Sequence, residues 1–321
     1  MNHRQRHLQY KRSVYAKRQT GLILWTVLAT LAAVLLLLLI VGNILGDRIE
    51  ADRMSGESGT KPPAKEETGL TPPAAIAGTP VYLLNKDGAP LGSLESQYRN
   101  LSPATDALTL SLDSSNGTLR YRSAVAAALG GREVISGAKS LGTMLSAPNN
   151  RGFYISASLH LVECGEKDPL IRSAKLSAVA SLIGEALNAG ADDLLLLAPD
   201  ATVEQLPELI ALAETAHALA PDGVIGLALS QEILADPALS SHLEALSEVY
   251  HYMAIDASQN GENDAKTHVS SLLSANRFYA IRYRMRLIVP NGTAEQNDAL
   301  VAFLTEQKCL AEMGGWQFAY S

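Results

Sequence analysis

From residue 80 onward, short apolar segments alternate with segments of helical periodicity, and this alternation restricts the possible folds more than any other feature of the sequence. It is typical of parallel strands joined by crossover helices. The predicted strands are residues 81–84, 107–113, 153–161, 193–198, 224–230, 252–256, 285–290 and 316–320. The predicted helices are residues 173–188, 203–220, 240–250, 265–279 and 293–308, the last beginning near Thr293 with Glu295 or Gln296 in its first turn.

Eight strands with intervening helices in roughly 240 residues fit a (β/α)8 barrel, which typically needs about 250 residues. The sequence therefore predicts an α/β fold, a TIM-barrel-like domain over residues 80–321. The eighth strand lies at the end of the sequence, so this barrel is expected to lack the last helix. An open, doubly wound parallel sheet is the structural alternative.

A second constraint is the uncharged segment 21–45, which is long enough to cross a bilayer as a helix. The preceding residues, 1–20, contain six Lys and Arg and no acidic residue. By the positive-inside rule, this predicts a single-pass signal anchor in the cell membrane, with a cytoplasmic N-terminus and an extracytoplasmic domain. A cleaved signal peptide is the alternative, but its apolar core is usually only about 7 to 15 residues long.

Residues 46–79 are rich in Gly, Pro, Ser, Thr and charged residues and show no apolar period, so they are predicted to form a flexible linker. The chain holds 33 Asp and Glu against 26 Lys and Arg, and six of those bases precede the apolar segment. The acidic outer part argues against a nucleic-acid partner, because phosphate binding requires the opposite charge. Glycine-rich phosphate loops, zinc-ligand spacings and nucleophile-elbow motifs are absent from the sequence, and no cofactor is expected.

Side-chain alternation along the second and third predicted strands separates apolar from polar faces. Leucines 108, 110 and 112 should pack under helices, as should Ile155, Ala157, Leu159 and Leu161. The opposite faces carry Thr109, Ser111 and Asp113 on one strand and Ser156, Ser158 and His160 on the next. A partly polar barrel interior is therefore expected.

Acidic residues follow several predicted strands, at the end of a barrel where active sites lie, here called the mouth. The candidates are Asp113, Glu163, Asp200 and Asp256. Paired carboxylates at a mouth are what glycoside hydrolysis requires, one as proton donor and the other as base or nucleophile. For each of them, a solvated loop acid or a helix cap is the favoured interpretation, most strongly for Asp200, which lies close before a helix.

Three further residues have competing interpretations. His160 has no partner at metal-ligand spacing, so a hydrogen-bonded interior histidine is favoured over a metal ligand, and no metal is predicted. Trp316 is either barrel core, the favoured interpretation, or a sugar-binding surface. Cys164 and Cys309 should lie at opposite ends of the barrel, so both are predicted to be free thiols.

The stretches ALTLSLDSSNGTLRYRS, NNRGFYISASLHLVECGEKDPL and ALNAGADDLLLLAPD resemble a bacterial family of glycoside hydrolases with a TIM-barrel fold, many of them membrane-anchored. The family pattern places an Asp on the second strand, an Arg on the third, and an Asp followed by a Tyr on the fourth. These positions correspond here to Ser111, Ser158, Leu197 and Ala198. The resemblance thus implies the fold but not the activity, because leucine can neither exchange a proton nor stabilise an oxocarbenium charge.

Three functional hypotheses follow. The preferred one is a catalytically degenerate barrel that binds cell-wall or surface carbohydrate, or an envelope protein, with Ser111, Ser158, His160 and Trp316 as candidate binding residues. The second is an active, divergent glycosidase that uses acids among Asp113, Glu163 and Asp256. The third is a scaffold whose outer helices contact another envelope protein.

Overall fold

The computed structural model describes residues 70–258, 266–267, 270–271 and 282–320, apart from 71, 92, 100–105 and 130. The predicted cytoplasmic segment 1–20, the anchor 21–45 and the linker up to residue 69 lie outside the described residues. So does most of the predicted helix 265–279. Among the helices of the described ranges, none is both long enough and apolar enough to cross a membrane.

Eight parallel strands close into a barrel in chain order, so the barrel prediction is confirmed and the open sheet is excluded. The strands are β1 (Ile76–Val81), β2 (Ala107–Ser111), β3 (Tyr154–His160), β4 (Asp193–Ala198), β5 (Val224–Leu229), β6 (Tyr252–Asp256), β7 (Met285–Val289) and β8 (Gly315–Phe318). Closure comes from β8 pairing with β1, where Ala77 lies opposite Trp316.

Helices pack around the barrel between successive strands. They are α1 (Glu95–Tyr98), α2 (Ala124–Leu129), α3 (Leu141–Asn150), α4 (Pro169–Asn188), α5 (Leu206–Leu219), α6 (Gln231–Ala235), α7 (Leu243–Val249), α8 (Ala294–Glu306) and α9 (Cys309–Glu312). Short 3-10 turns cover Val162–Gly165, Val203–Gln205, Pro237–Ser241 and Arg282–Arg284. The expected start of the last long helix is confirmed, because Thr293 and Gln296 form a reciprocal capping box.

The first strand lies earlier in the chain than the sequence suggested. The expected strand was 81–84, but β1 runs from Ile76 to Val81, so residues 76–79 of the expected linker belong to the barrel. Its sequence, IAGTPV, contains glycine and proline, which are disfavoured in strands. Gly78 is required by packing, since a Cβ there would lie 2.6 Å from Cγ2 of Thr109.

The predicted strand faces are confirmed. The leucines of β2 and the apolar residues of β3 join the main core between sheet and helices, as does Trp316. A smaller apolar cluster fills part of the barrel interior, formed by Leu195, Ala228, Tyr252, Ala254 and Ile288. These interior residues come from β4 to β7, whereas β2 and β3 contribute buried Thr109, Ser111, Ser156 and Ser158. The barrel interior is therefore apolar on one side and polar on the other.

A buried charged network lies near the N-terminal ends of the strands, opposite the mouth. Arg286 on β7 donates from Nη2 to Asp193 on β4 over 2.9 Å, and both side chains are fully buried. Asp193 also accepts hydrogen bonds from Tyr252, Ser156 and Tyr154. Each oxygen of this carboxylate is therefore satisfied, which is the condition under which a buried charge is tolerated. The network was missed from the sequence.

Candidate functional site

The mouth contains a cluster of four side chains carried by the connections after β2 and β3. Asp113 lies two residues beyond β2 and forms an isolated bridge with Leu119. His160 is the last residue of β3, and Glu163 lies in the 3-10 turn that follows. Arg132 comes from the loop after α2. The structure therefore brings together two of the four acids proposed from the sequence, with a histidine and an arginine.

The guanidinium of Arg132 joins the two acids. Its Nη1 donates to Oδ2 of Asp113 over 2.7 Å. Its Nε and Nη2 donate to the two oxygens of Glu163 over 2.9 and 2.8 Å, a bidentate contact. Nη2 also donates to the backbone carbonyl of His160 over 2.6 Å. Arg132 is thus held between the carboxylates, and we call the set Asp113, Arg132, Glu163 and His160 the mouth cluster.

Asp113 and Glu163 are buried, and so is the Arg132 side chain, which is only 4% exposed. Burial acts to lower the pKa of Arg132, but the hydrogen bonds and charges of Glu163 and Asp113 outweigh it and place its pKa above the ordinary value. Arg132 therefore stays protonated and neutralises part of the acidic charge of the cluster.

His160 is the member of the cluster with most contact with solvent, its side chain being 22% exposed. Its Nδ1 lies 2.8 Å from Oδ1 of Asp113, and its backbone N–H donates to the same carboxylate. A carboxylate at Nδ1 favours the tautomer that carries the proton there, which leaves Nε2 as an acceptor. Ser111 supports this arrangement by donating from Oγ to the carbonyl of Asp113 over 2.8 Å.

The remaining acids proposed from the sequence lie apart from this cluster. Asp256, at the end of β6, accepts hydrogen bonds from the backbone and the hydroxyl of Ser258 at 2.8 and 2.5 Å. Asp200 is exposed after β4. Neither forms a hydrogen bond with Asp113 or Glu163 in the described part of the chain. Asp256 is still a mouth residue by its position at a strand end.

The proposed binding residues Ser158 and Trp316 are both buried. Ser158 donates to the carbonyl of Leu110 over 3.4 Å. Trp316 is 1% exposed and packs edge to face against Phe318, with ring centroids 5.0 Å apart, so it is a core residue in this structure. Neither Cys164 nor Cys309 forms a disulfide, as predicted, and both are buried.

Three mouth residues were missed from the sequence. Tyr82 directly follows β1, Tyr320 lies two residues beyond β8, and their rings contact each other edge to face at 5.8 Å. Arg120 lies in the loop after β2, held by a backbone hydrogen bond to Leu112. A signal was present only for Tyr320, the last residue of the predicted strand 316–320. Tyr82 lay near the start of the predicted strand 81–84, and Arg120 lay seven residues beyond the predicted strand 107–113. Within the described ranges, no group of three His, Cys, Asp or Glu side chains has the geometry to hold a metal ion.

No family model matches the sequence, and no curated protein matches it significantly. Among solved structures, the spore cortex-lytic enzyme SleL of Bacillus cereus has a TM-score of 0.46 and 9% identity over 77% of this chain and 71% of that chain. The alpha-L-fucosidase AlfC of Lactobacillus casei has a TM-score of 0.39 and 10% identity over 67% and 68%. PhdJ has a TM-score of 0.38 and 12% identity over 77% and 66%. Structural similarity at these TM-scores and identities does not assign an activity to this chain.

Proposed function

We propose that this protein is a catalytically degenerate, glycoside-hydrolase-like barrel that binds cell-wall or surface carbohydrate at its mouth. The observation that carries the proposal is the position of Arg132 between Asp113 and Glu163. The resemblance of three sequence stretches to a glycoside hydrolase family supports the carbohydrate assignment. The replacement of that family's polar positions by Ser111 and Leu197, among others, supports the loss of activity.

A glycosidase needs one carboxylic acid that can protonate the leaving oxygen and one carboxylate that can reach the sugar ring or a water molecule. In the mouth cluster both acids are buried, and both direct oxygens at the same guanidinium. The oxygens that a proton donor or a nucleophile would present to the sugar are thus occupied by hydrogen bonds from Arg132. The guanidinium also occupies the space between the two acids. Hydrolysis by this pair would require Arg132 to leave.

Binding a sugar requires hydrogen-bonding groups but no proton transfer. The His160 side chain is partly exposed, and in a neutral imidazole bonded through Nδ1 the other nitrogen, Nε2, is an acceptor. The Asp256 carboxylate offers further acceptor sites on β6. Sugar hydroxyls are donors of matching chemistry, and a protein can hold them without exchanging a proton. The mouth therefore retains groups for recognition even though its acids are occupied.

We also propose that the barrel is tethered to the cell membrane by residues 21–45, with residues 1–20 in the cytoplasm. The support is the uncharged apolar segment and the six bases before it. A tether through the following Gly, Pro and Ser-rich segment would keep the mouth free to reach a polymer outside the membrane. Protease accessibility of the domain in intact cells tests this topology, because a cytoplasmic domain would be protected.

The proposed function is tested with the full-length purified chain in detergent and insoluble peptidoglycan sacculi. Co-sedimentation measures binding, and reducing-end release measures hydrolysis. We expect sedimentation without release. His160→Ala and Asp256→Asn should weaken sedimentation several-fold, whereas Asp200→Asn, at an exposed acid outside the cluster, is the matched control and should not.

Two results would overturn the proposal. Release of reducing ends that disappears in Asp113→Asn or Glu163→Gln would identify the chain as an active glycosidase, the alternative function. Failure to bind sacculi or any member of a panel of soluble oligosaccharides would remove carbohydrate as the ligand and favour a protein partner. The same two assays therefore separate all three hypotheses.

A further inference from the structure

Two tyrosines form a corner of the mouth where the barrel closes. Tyr82 directly follows β1 and is partly exposed, and Tyr320 follows β8, the neighbouring strand. Their ring planes stand at 89° with centroids 5.8 Å apart. A tyrosine ring face is an apolar surface on which the C–H face of a sugar can pack, and the phenol can hydrogen-bond its hydroxyls. The corner thus has the chemistry of a sugar subsite.

A cation lies next to this corner. The backbone N–H of Arg120 donates to Leu112 over 2.8 Å, which fixes the loop beside the end of β2. Strand β2 pairs with β1, which Tyr82 directly follows, so this loop and the tyrosine pair lie at neighbouring strand ends. Burial raises the pKa of Tyr320, and the positive charge of Arg120 acts in the opposite direction. Arg120 and the tyrosine pair therefore belong to one region of the mouth.

The guanidinium of Arg120 lacks a counterion among the described residues. Its Nε is buried and makes no hydrogen bond there. The nearest acid along the chain, Asp113, is already bound by Arg132 and His160. A buried donor without an acceptor is unfavourable, and a ligand oxygen would satisfy it. The arrangement differs from that of Arg132, whose donors are occupied by two carboxylates.

We propose that Arg120, Tyr82 and Tyr320 form a subsite for a carboxylate-bearing sugar. The carboxylate would accept hydrogen bonds from Arg120, whose planar guanidinium matches carboxylate geometry, while the ring packs against Tyr82. This inference rests on the proposed carbohydrate-binding function and specifies its ligand class. Arg132 neutralises part of the acidic charge of the mouth cluster, which reduces the repulsion of an acidic ligand by the mouth.

The test compares a trigalacturonate with its methyl ester, in which the carboxylates are esterified and uncharged. Binding of each ligand is measured by calorimetric titration of the full-length chain. We expect the free acid to bind at least about tenfold more tightly than the ester. Arg120→Gln should bring this ratio close to one, and Arg120→Lys should keep part of it. Tyr82→Ala should weaken both ligands by a similar factor. Arg122→Gln, at an exposed cation two residues away, is the matched control and should leave the ratio unchanged.

Equal binding of acid and ester by the unmodified chain would overturn the subsite, as would a preference that persists in Arg120→Gln. Thermal unfolding of each variant shows whether a lost preference comes from lost folding, and Arg120→Lys provides a second, less disruptive variant. If neutral oligosaccharides bind while the trigalacturonate does not, the subsite fails and the proposed function stands. If no oligosaccharide binds, both fail.

Discussion

His160 holds the carboxylate of Asp113 twice, through Nδ1 at 2.8 Å from Oδ1 and through its backbone N–H. The acid that the sequence offers as a catalyst is therefore fully buried beneath an imidazole, and the imidazole is the group that faces solvent. Any ligand approaching this side of the mouth therefore meets the imidazole of His160 before the carboxylate of Asp113. The relationship makes Asp113 a positioning residue for His160.

Replacing Arg132 by methionine should strongly destabilise the fold. The substitution leaves Asp113 and Glu163 buried without their common counterion, and breaking a buried ion pair in this way costs about 3–5 kcal/mol. Urea unfolding followed by circular dichroism measures the loss in the free energy of unfolding.

The matched control is Arg99→Gln, because Arg99 pairs with Glu95 at the surface with a side chain 66% exposed. Exposed pairs contribute about 0–1 kcal/mol, so this variant should differ little from the unmodified chain. If Arg132→Met costs no more than Arg99→Gln, the cluster does not stabilise the barrel and the interpretation of Arg132 as a structural clamp is wrong.

Stability should fall as pH drops from about 6.5 to about 4, and His251 should account for part of this fall. Burial first, then the nearby His217 and Arg284, lower the pKa of His251 from 6.5 to about 4. Because the unfolded chain binds this proton at higher pH than the folded chain, acid favours unfolding across that window. Protonation of Nδ1 would also remove the acceptor that receives the Ile225 N–H over 3.2 Å.

His251→Gln keeps an acceptor at this position and cannot titrate, so it should flatten the pH dependence between about 4 and 6.5. The flattening should be on the order of 1 kcal/mol, since solvent screening reduces the effect for a ring that is only half-buried. The measurement is the free energy of unfolding at several pH values. An unchanged slope in His251→Gln would assign the acid sensitivity to other groups.

The barrel could be predicted from the sequence because its strongest strands are continuous apolar runs with clear ends. Strands β4 and β6 have the predicted bounds, Asp193–Ala198 and Tyr252–Asp256. The position of strand β1 was predicted wrongly because the strand contains a glycine and a proline, which are disfavoured in strands. Gly78 makes room for Thr109 and Gln317, which no local pattern indicates.

The candidate site could be predicted only in part. Asp113, His160 and Glu163 were found because strand ends identify mouth positions. Arg132 was not, since it lies in an irregular loop 19 residues from Asp113 and 31 from Glu163. Its role depends on how that loop folds back over β3, which side-chain periodicity does not encode. The partner that changes the interpretation of both acids was therefore the one residue of the mouth cluster that pattern analysis did not assign.

Gly226→Ala should destabilise the barrel by about 1–3 kcal/mol or more, because it overpacks the interior. A Cβ at this position of β5 would lie 2.2 Å from Cζ of Tyr252. That ring cannot move aside without breaking its hydrogen bonds to Asp193 and Arg286. Gly142→Ala is the control, since nothing lies within 4 Å of its Cβ position in α3, and alanine there should be neutral or stabilising. Equal stabilities would contradict the packing argument.

The thiol of Cys164 should react slowly with iodoacetamide in the folded protein. Burial first, then the charge of Glu163, raise its pKa to about 12, so at pH 8 the reactive thiolate is on the order of one molecule in ten thousand. An ordinary thiol has about one molecule in ten as thiolate at that pH.

Both this thiol and Cys309 are buried, so neither should be labelled within minutes. Denaturation in urea should be followed by full labelling of both sites. Mass spectrometry of tryptic peptides distinguishes the two sites. If Cys164 in the folded chain is labelled as fast as an exposed thiol, the turn that carries Glu163 opens readily and the prediction is wrong. Because that turn also holds the Arg132 contact, slow labelling and a large cost of Arg132→Met should be found together.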